Sequence, residues 1–116
     1  MTYLAKNVTP LELSDWMNDS ILKPFLIDVR EDEELVIASL PFEFLHLPLS
    51  ESNSWMCKLN ELIPTDRRIV VFCHAGVRSL NFANWLIEQN CNLDVWNLKG
   101  GIDSWSLEID QSLRRY

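Results

Sequence analysis

The amino-acid sequence predicts an α/β fold: a three-layer sandwich whose central sheet is mainly parallel and flanked by helices. Three observations carry that expectation. Four short runs, Phe25 to Val29, Phe44 to Leu47, Ile69 to Phe72 and Asp94 to Leu98, are rich in apolar, β-branched and aromatic residues and read as strands. Stretches with apolar residues at helical spacing lie between them, so strand and helix alternate, the order that builds a parallel sheet with crossover helices. The chain has 116 residues, 47% of them hydrophobic, which suffices for one core in a single domain spanning 1–116. No internal repeat, low-complexity stretch or linker divides it.

The first helix starts at Thr9-Pro10-Leu11-Glu12. Thr9 can cap, Pro10 suits the first helical position and Glu12 completes a capping box, with Val8 and Leu13 as a hydrophobic staple. Leu13, Trp16 and Met17 share one face, which packs on the body of the domain. After the strand at Phe25 comes Asp28-Val29-Arg30, then the acidic run Glu31-Asp32-Glu33-Glu34 at a helix start, where acids need only the helix dipole to explain them. Asp28 and Arg30 lie at the strand end where open α/β sheets place their sites. A supporting ion pair with neighbouring loops is expected of them rather than direct catalysis.

His46 alternates with leucines in the next strand and reads as a half-exposed strand histidine. Trp55, Met56, Leu59, Leu62 and Ile63 form the apolar face of a following helix, and Cys57 projects away from it into solvent. Leu80, Ala83, Leu86 and Ile87 make another stripe, with Asn81, Asn84 and Glu88 opposite. Lys99-Gly100-Gly101 reads as a turn in which glycine permits positive φ and close backbone approach. Ile102, Trp105 and Ile109 suggest a terminal helix.

Ten basic against seventeen acidic side chains give a net charge of −7, and the basic residues form no stripe. That balance disfavours nucleic acid and anionic membrane surfaces as partners. No apolar run reaches the roughly 18 residues of a membrane span, and the first residues lack a signal pattern. A cytoplasmic location is expected. Three widely spaced cysteines form neither a disulfide framework nor a zinc signature and suit a reduced compartment.

The most informative stretch runs from Ile69 to Ser79. A buried strand ends at Cys73, and a helical pattern begins near Val77, so a thiol sits where a strand hands over to a helix N-terminus. Unpaired N–H groups and the helix dipole favour an anion on its sulfur there. Arg78 adds a guanidinium that can grip an oxyanion with two donors. Such a loop can accept a sulfane sulfur or attack a phosphate or arsenate; local chemistry alone does not separate the two.

Here the chain resembles the rhodanese family. The matching motifs are Asp28-Val29-Arg30, the loop Cys73-His74-Ala75-Gly76-Val77-Arg78-Ser79, and Leu98-Lys99-Gly100-Gly101 with Trp105, in the family's order from about Val8 to Trp105. Ala38 to Glu43 departs from the family's glycine- and histidine-containing turn at that place. The resemblance implies a rhodanese-like fold and a thiosulfate:cyanide sulfurtransferase-like activity. Cys73 would take sulfur from a small anionic donor such as thiosulfate, hold it as a persulfide, and pass it to cyanide, a thiol or a protein acceptor. No further cofactor and no metal are implied. Backbone N–H groups among His74, Ala75, Gly76, Val77 and Ser79 would hold the terminal sulfur. Arg78 would bind the donor's oxyanion and steady the loop, the Ser79 hydroxyl would add a hydrogen bond, and His74 would line the mouth. Gly76 would supply a backbone conformation closed to other residues. Related phosphatases and arsenate reductases carry a loop one residue longer, so loop size favours sulfur. The alternative from another class is a binding or regulatory module whose persulfide or loop is read by a partner protein. A resolving role for Cys57 or Cys91 is left open.

Overall fold

Ile69, Val70, Val71 and Phe72 are all fully buried, because both faces of their strand are covered. They form the centre of a five-stranded sheet in the computed structural model, which describes residues 4–19, 21 and 23–116. The strands are β1 (Lys6–Val8), β2 (Phe25–Asp28), β3 (Leu45–His46), β4 (Ile69–Phe72) and β5 (Val95–Leu98). They lie in the order β1-β5-β4-β2-β3, and every pair is parallel. Helices α1 (Pro10–Asn18), α2 (Asp32–Ile37), α3 (Ser52–Trp55), α4 (Leu59–Leu62), α5 (Val77–Gln89) and α6 (Gly101–Glu108) cover it.

Alternation along β4 sorts the core into two layers. Ile69, Val71 and Cys73 face Trp55, Leu59, Phe82, Ala83 and Leu86, which come from α3, α4 and α5. Val70 and Phe72 face Leu13 and Met17 of α1 and Ile102 and Trp105 of α6. The expected three-layer sandwich is therefore the observed one. From β2 the chain moves outward to β3, and from β4 it moves the other way to β5. The crevice between the C-terminal ends of β2 and β4 is thus a topological switch point, where parallel sheets open room for a site.

The start of α1 follows the sequence closely. Thr9 accepts from the Glu12 N–H at 3.2 Å, and the Glu12 carboxylate takes the Thr9 N–H at 3.1 Å. Val8 and Leu13 are both fully buried.

Four details differ from the sequence reading. Strand β1 was not expected; Lys6 and Asn7 carry no strand pattern, yet Lys6 to Val8 align with Trp96 to Leu98. Strand β3 has two residues because only Leu45 and His46 pair with β2 at the sheet edge. The expected helix from Trp55 to Ile63 is broken by a 3₁₀ turn at Met56–Lys58. The tighter winding narrows its buried stripe to Trp55, Leu59 and Ile63, leaving Met56 46% and Leu62 36% exposed. In α5 the buried face is Ser79, Phe82, Ala83, Leu86 and Ile87, so Leu80 is only half-buried and Asn84 is drawn partly inward. The polar Ser79 hides that stripe from a hydrophobicity pattern. Cys57 is exposed, as expected, and all three cysteines are free.

Candidate active site at the cysteine loop

Because β4 ends at Phe72 and α5 starts at Val77, residues 73–76 form a loop over the switch point. Gly76 occupies the N-cap of α5 with φ of 96°, a left-handed conformation that suits glycine. Having no side chain, it leaves the first-turn N–H groups free, and the Cys73 sulfur takes the place of a capping oxygen. The Gly76 N–H points at Sγ at 3.2 Å and the Ser79 N–H at 3.4 Å. Cys73 is 1% exposed, at the floor of the loop.

The Ser79 hydroxyl is the third neighbour of the sulfur, at 3.2 Å, and its proton can be located by elimination. Asn97 of β5 sends its amide nitrogen to the Gly76 carbonyl at 3.2 Å, and to Asn7 Oδ1 at 3.0 Å. A carbonyl only accepts, so Asn97 Oδ1 must face Ser79, whose hydroxyl donates to it at 2.5 Å. The single Ser79 proton is thereby committed to Asn97, and Ser79 offers Cys73 lone pairs. A Cys73 thiol donates into this chain. A thiolate receives the Ser79 bond only when the hydroxyl turns away from Asn97.

Arg78 does not turn its fork into the loop. Its Nη1 and Nη2 donate to the two carboxylate oxygens of Glu34 at 2.7 and 2.8 Å. Glu34 also accepts from the Glu31 N–H at 2.8 Å and the Tyr116 hydroxyl at 3.1 Å. The Arg78 bonds chiefly hold the Glu34 carboxyl down to a pKa of about 2, and the same contact raises that of Arg78.

Behind this pair, Asp28 and Arg30 are fully buried and paired with each other, Nη2 to Oδ2 at 2.8 Å. Burial works against the Arg30 charge, but the hydrogen bonds it donates to Asp28 and Tyr116 outweigh it and its pKa is raised. Arg30 Nη1 reaches the Glu34 carbonyl at 3.3 Å and the Tyr116 hydroxyl at 3.0 Å, which ties the end of β2 to α2. The two residues therefore support the site from beneath. His46, half-exposed, has Nε2 2.6 Å from the Arg30 carbonyl oxygen, and its Nδ1 lies 3.7 Å from Asp32.

His74 lies on the rim with its ring stacked on Tyr116, centroids 4.1 Å apart and planes 15° apart. Its Nε2 is buried without a hydrogen-bond partner. The carbonyls of Cys73 and His74 accept from Ile102 N–H at 2.9 Å and Asp103 N–H at 3.0 Å, so the first turn of α6 clamps the loop. Ala75 and Val77 are exposed, with Val77 at 68%.

Cys73, His74, Gly76, Arg78, Ser79, Asp28 and Arg30 thus converge at one end of the sheet. Three contributors were not singled out in the sequence. Glu34 was hidden in an acidic run that its helix start already explained. Asn97 had a usable signal, a polar residue inside a short buried strand. Tyr116 had none, since it lies 86 residues from Arg30 in the chain.

The rhodanese-like domain family model matches residues 9–108. A rhodanese-like/PpiC domain-containing chloroplastic protein of Arabidopsis thaliana is 36% identical over 114 residues, covering 97% of this chain. The chain spans 38% of that relative's length. The thiosulfate sulfurtransferase GlpE of Haemophilus influenzae is 31% identical over 100 residues, 86% of this chain and 87% of that protein. Among solved structures, a Staphylococcus saprophyticus protein superposes with a TM-score of 0.72 at 28% identity, covering 90% of this chain and 96% of that one.

Proposed function

Because the chain belongs to the rhodanese-like domain family, whose members similar to it include sulfurtransferases, we propose that it transfers a sulfane sulfur through a persulfide on Cys73. The observation that carries this reading is the sulfur at the N-cap of α5, with two backbone N–H groups aimed at it. In the first half-reaction the Cys73 thiolate attacks the donor's sulfane sulfur, and the donor's leaving group departs with the bonding pair. In the second, a thiophilic acceptor attacks the terminal sulfur and Cys73 leaves as thiolate, a covalent ping-pong cycle. Fixed N–H dipoles solvate the anionic sulfur without reorganising.

The orientation of Arg78 favours this over phosphoryl chemistry. A phosphate in the loop needs a guanidinium facing it, and this one faces Glu34. The free, buried thiol suits a reducing compartment such as the cytoplasm. No described helix is long and apolar enough to cross a membrane.

The test is to mix reduced protein with a sulfane donor, remove the excess, and weigh the intact chain. One added sulfur atom is expected, mapped to Cys73, released by cyanide as thiocyanate and absent in Cys73→Ser. No adduct in folded, reduced protein with several different donors would favour a binding module read by a partner protein.

A further inference from the structure

Resting on the sulfurtransferase reading above, we propose that the sulfane donor is an organic hydropersulfide with an apolar group beside its sulfur, and not a small oxyanion such as thiosulfate. The charge balance of the rim is the first argument. Three arginines reach this end of the sheet, and each carries its own carboxylate: Arg30 with Asp28 at 2.8 Å, Arg78 with Glu34 at 2.7 Å, and Arg115 with Asp103 at 2.9 Å. A dianion is drawn to unpaired cations and repelled by neutralised pairs whose outer partner is a carboxylate. To recruit Arg78 it would have to displace Glu34, which the Glu31 N–H and the Tyr116 hydroxyl brace from behind.

The surface beside the loop is the second argument. A groove of about 350 Å³ runs along α5 to Arg78, whose side chain forms part of its wall. Leu49, Trp55, Met56, Phe82 and Trp85 line most of the rest, with Ser52 and Asn81 as its other polar members. Its volume is that of a small-ligand site, and aromatic and thioether walls suit an apolar organic group. The exposed side chains of Ala75 and Val77 on the loop add no charge. Cys73 is 1% exposed, so the donor must present a narrow terminal sulfur, which a hydropersulfide does.

The step balances without an outside oxidant or reductant. The Cys73 thiolate attacks the terminal sulfur of RS–SH, a Cys73 S–S bond forms, the donor's S–S bond breaks, and RS⁻ leaves with the electron pair. The proton stays on the transferred sulfur until solvent removes it.

Single-turnover loading of the full reduced chain, followed by intact mass, tests the assignment with benzyl hydropersulfide, cysteine hydropersulfide and thiosulfate. Benzyl hydropersulfide is expected to load Cys73 about fivefold faster than cysteine hydropersulfide, the effect of burying part of one ring. Thiosulfate is expected to be the slowest. Glu34→Gln releases the Arg78 fork and should raise the thiosulfate-to-benzyl rate ratio about tenfold. Met56→Glu, at a position 46% exposed and so compatible with folding, should lower the benzyl-to-cysteine ratio about fivefold. Thiosulfate loading as fast as the benzyl donor in the wild type, or an unmoved ratio in either folded variant, overturns the assignment. If Glu34→Gln does not fold, the wild-type order and Met56→Glu decide. Failure of all three donors to load folded protein overturns the sulfurtransferase reading itself.

Discussion

Replacing Gly101 by alanine is expected to cost about 3–5 kcal/mol of stability and to disable the cysteine loop. Gly101 has φ of 63°, and a Cβ there would stand 2.5 Å from the Cys73 carbonyl oxygen and closer still to that of His74. These are backbone atoms, so no rotamer change relieves the clash. Both carbonyls are also the acceptors through which Ile102 and Asp103 hold the loop, at 2.9 and 3.0 Å. Relief requires α6 to back away, which breaks both bonds. The left-handed conformation costs an alanine about 1–2 kcal/mol. Two lost hydrogen bonds in a buried setting add about 1–1.5 kcal/mol each. Against a typical stability of about 5–15 kcal/mol, the loss is large. Urea unfolding followed by tryptophan fluorescence should show the midpoint falling by more than about 1 M. Sulfur loading on Cys73 should fall with it, even in urea-free buffer where the variant is still folded. Gly76→Ala should be milder, since its Cβ meets Gly100 N at 3.0 Å and no clamp bond must break. A Gly101→Ala protein within about 1 kcal/mol of wild type that loads sulfur normally would refute the clamp.

Glu34, held at a pKa of about 2 in place of 4.5, contributes stability that is present above pH 4.5 and lost as pH falls toward 2. Because Arg78 is 38% exposed, screening reduces the contribution to about 1–2 kcal/mol; the stability gap to Glu34→Gln, measured by urea melts, should have this size at pH 6 and close near pH 2. Asn97→Leu frees the Ser79 proton to turn toward sulfur. Iodoacetamide should then alkylate Cys73 about fivefold faster, as one hydrogen bond of about 1 kcal/mol allows; the gain should vanish in the double variant with Ser79→Ala, and a persisting gain would reject the proton assignment. Tyr116→Phe removes the hydroxyl shared by Arg30 and Glu34 but keeps the ring on His74, so thermal melts should show a loss of about 1 kcal/mol, with Tyr116→Ala losing more. Cys57→Ser with Cys91→Ser should leave sulfur loading on Cys73 intact, both positions being exposed; loss equal to that of Cys73→Ser would reveal a resolving cysteine.

What the sequence disclosed was local. The cap at Thr9, the strand at Ile69, the glycine pair and the cysteine loop each have their cause within a few residues, so composition and spacing expose them. Strand β1 escapes because Lys6-Asn7-Val8 becomes a strand only through its pairing with β5. Arg78 shows the same limit at the site. Its five donors can face an oxyanion or a carboxylate equally well, and only the packing of α2 against the loop decides for Glu34. Ser79 is polar by composition and core by position, because Asn97 and Cys73 satisfy its hydroxyl inside the sheet. A pattern that counts it as surface rotates the whole face of α5.

The all-parallel strand order also sets the sequence of events by which the protein acquires its chemistry. Strands β2 and β4 pair Phe25 with Ile69 through a long crossover, and β1 must then find β5, Lys6 opposite Trp96, across most of the chain. Such distant pairings make folding slow. The clamp on Cys73 comes from Ile102 and Asp103, beyond the last strand, on the helix that also lays Ile102 and Trp105 over Val70 and Phe72. The thiol loop therefore closes only when that layer of the core is complete. Loosening α6 is the route by which oxidants and electrophiles reach a sulfur that is otherwise 1% exposed.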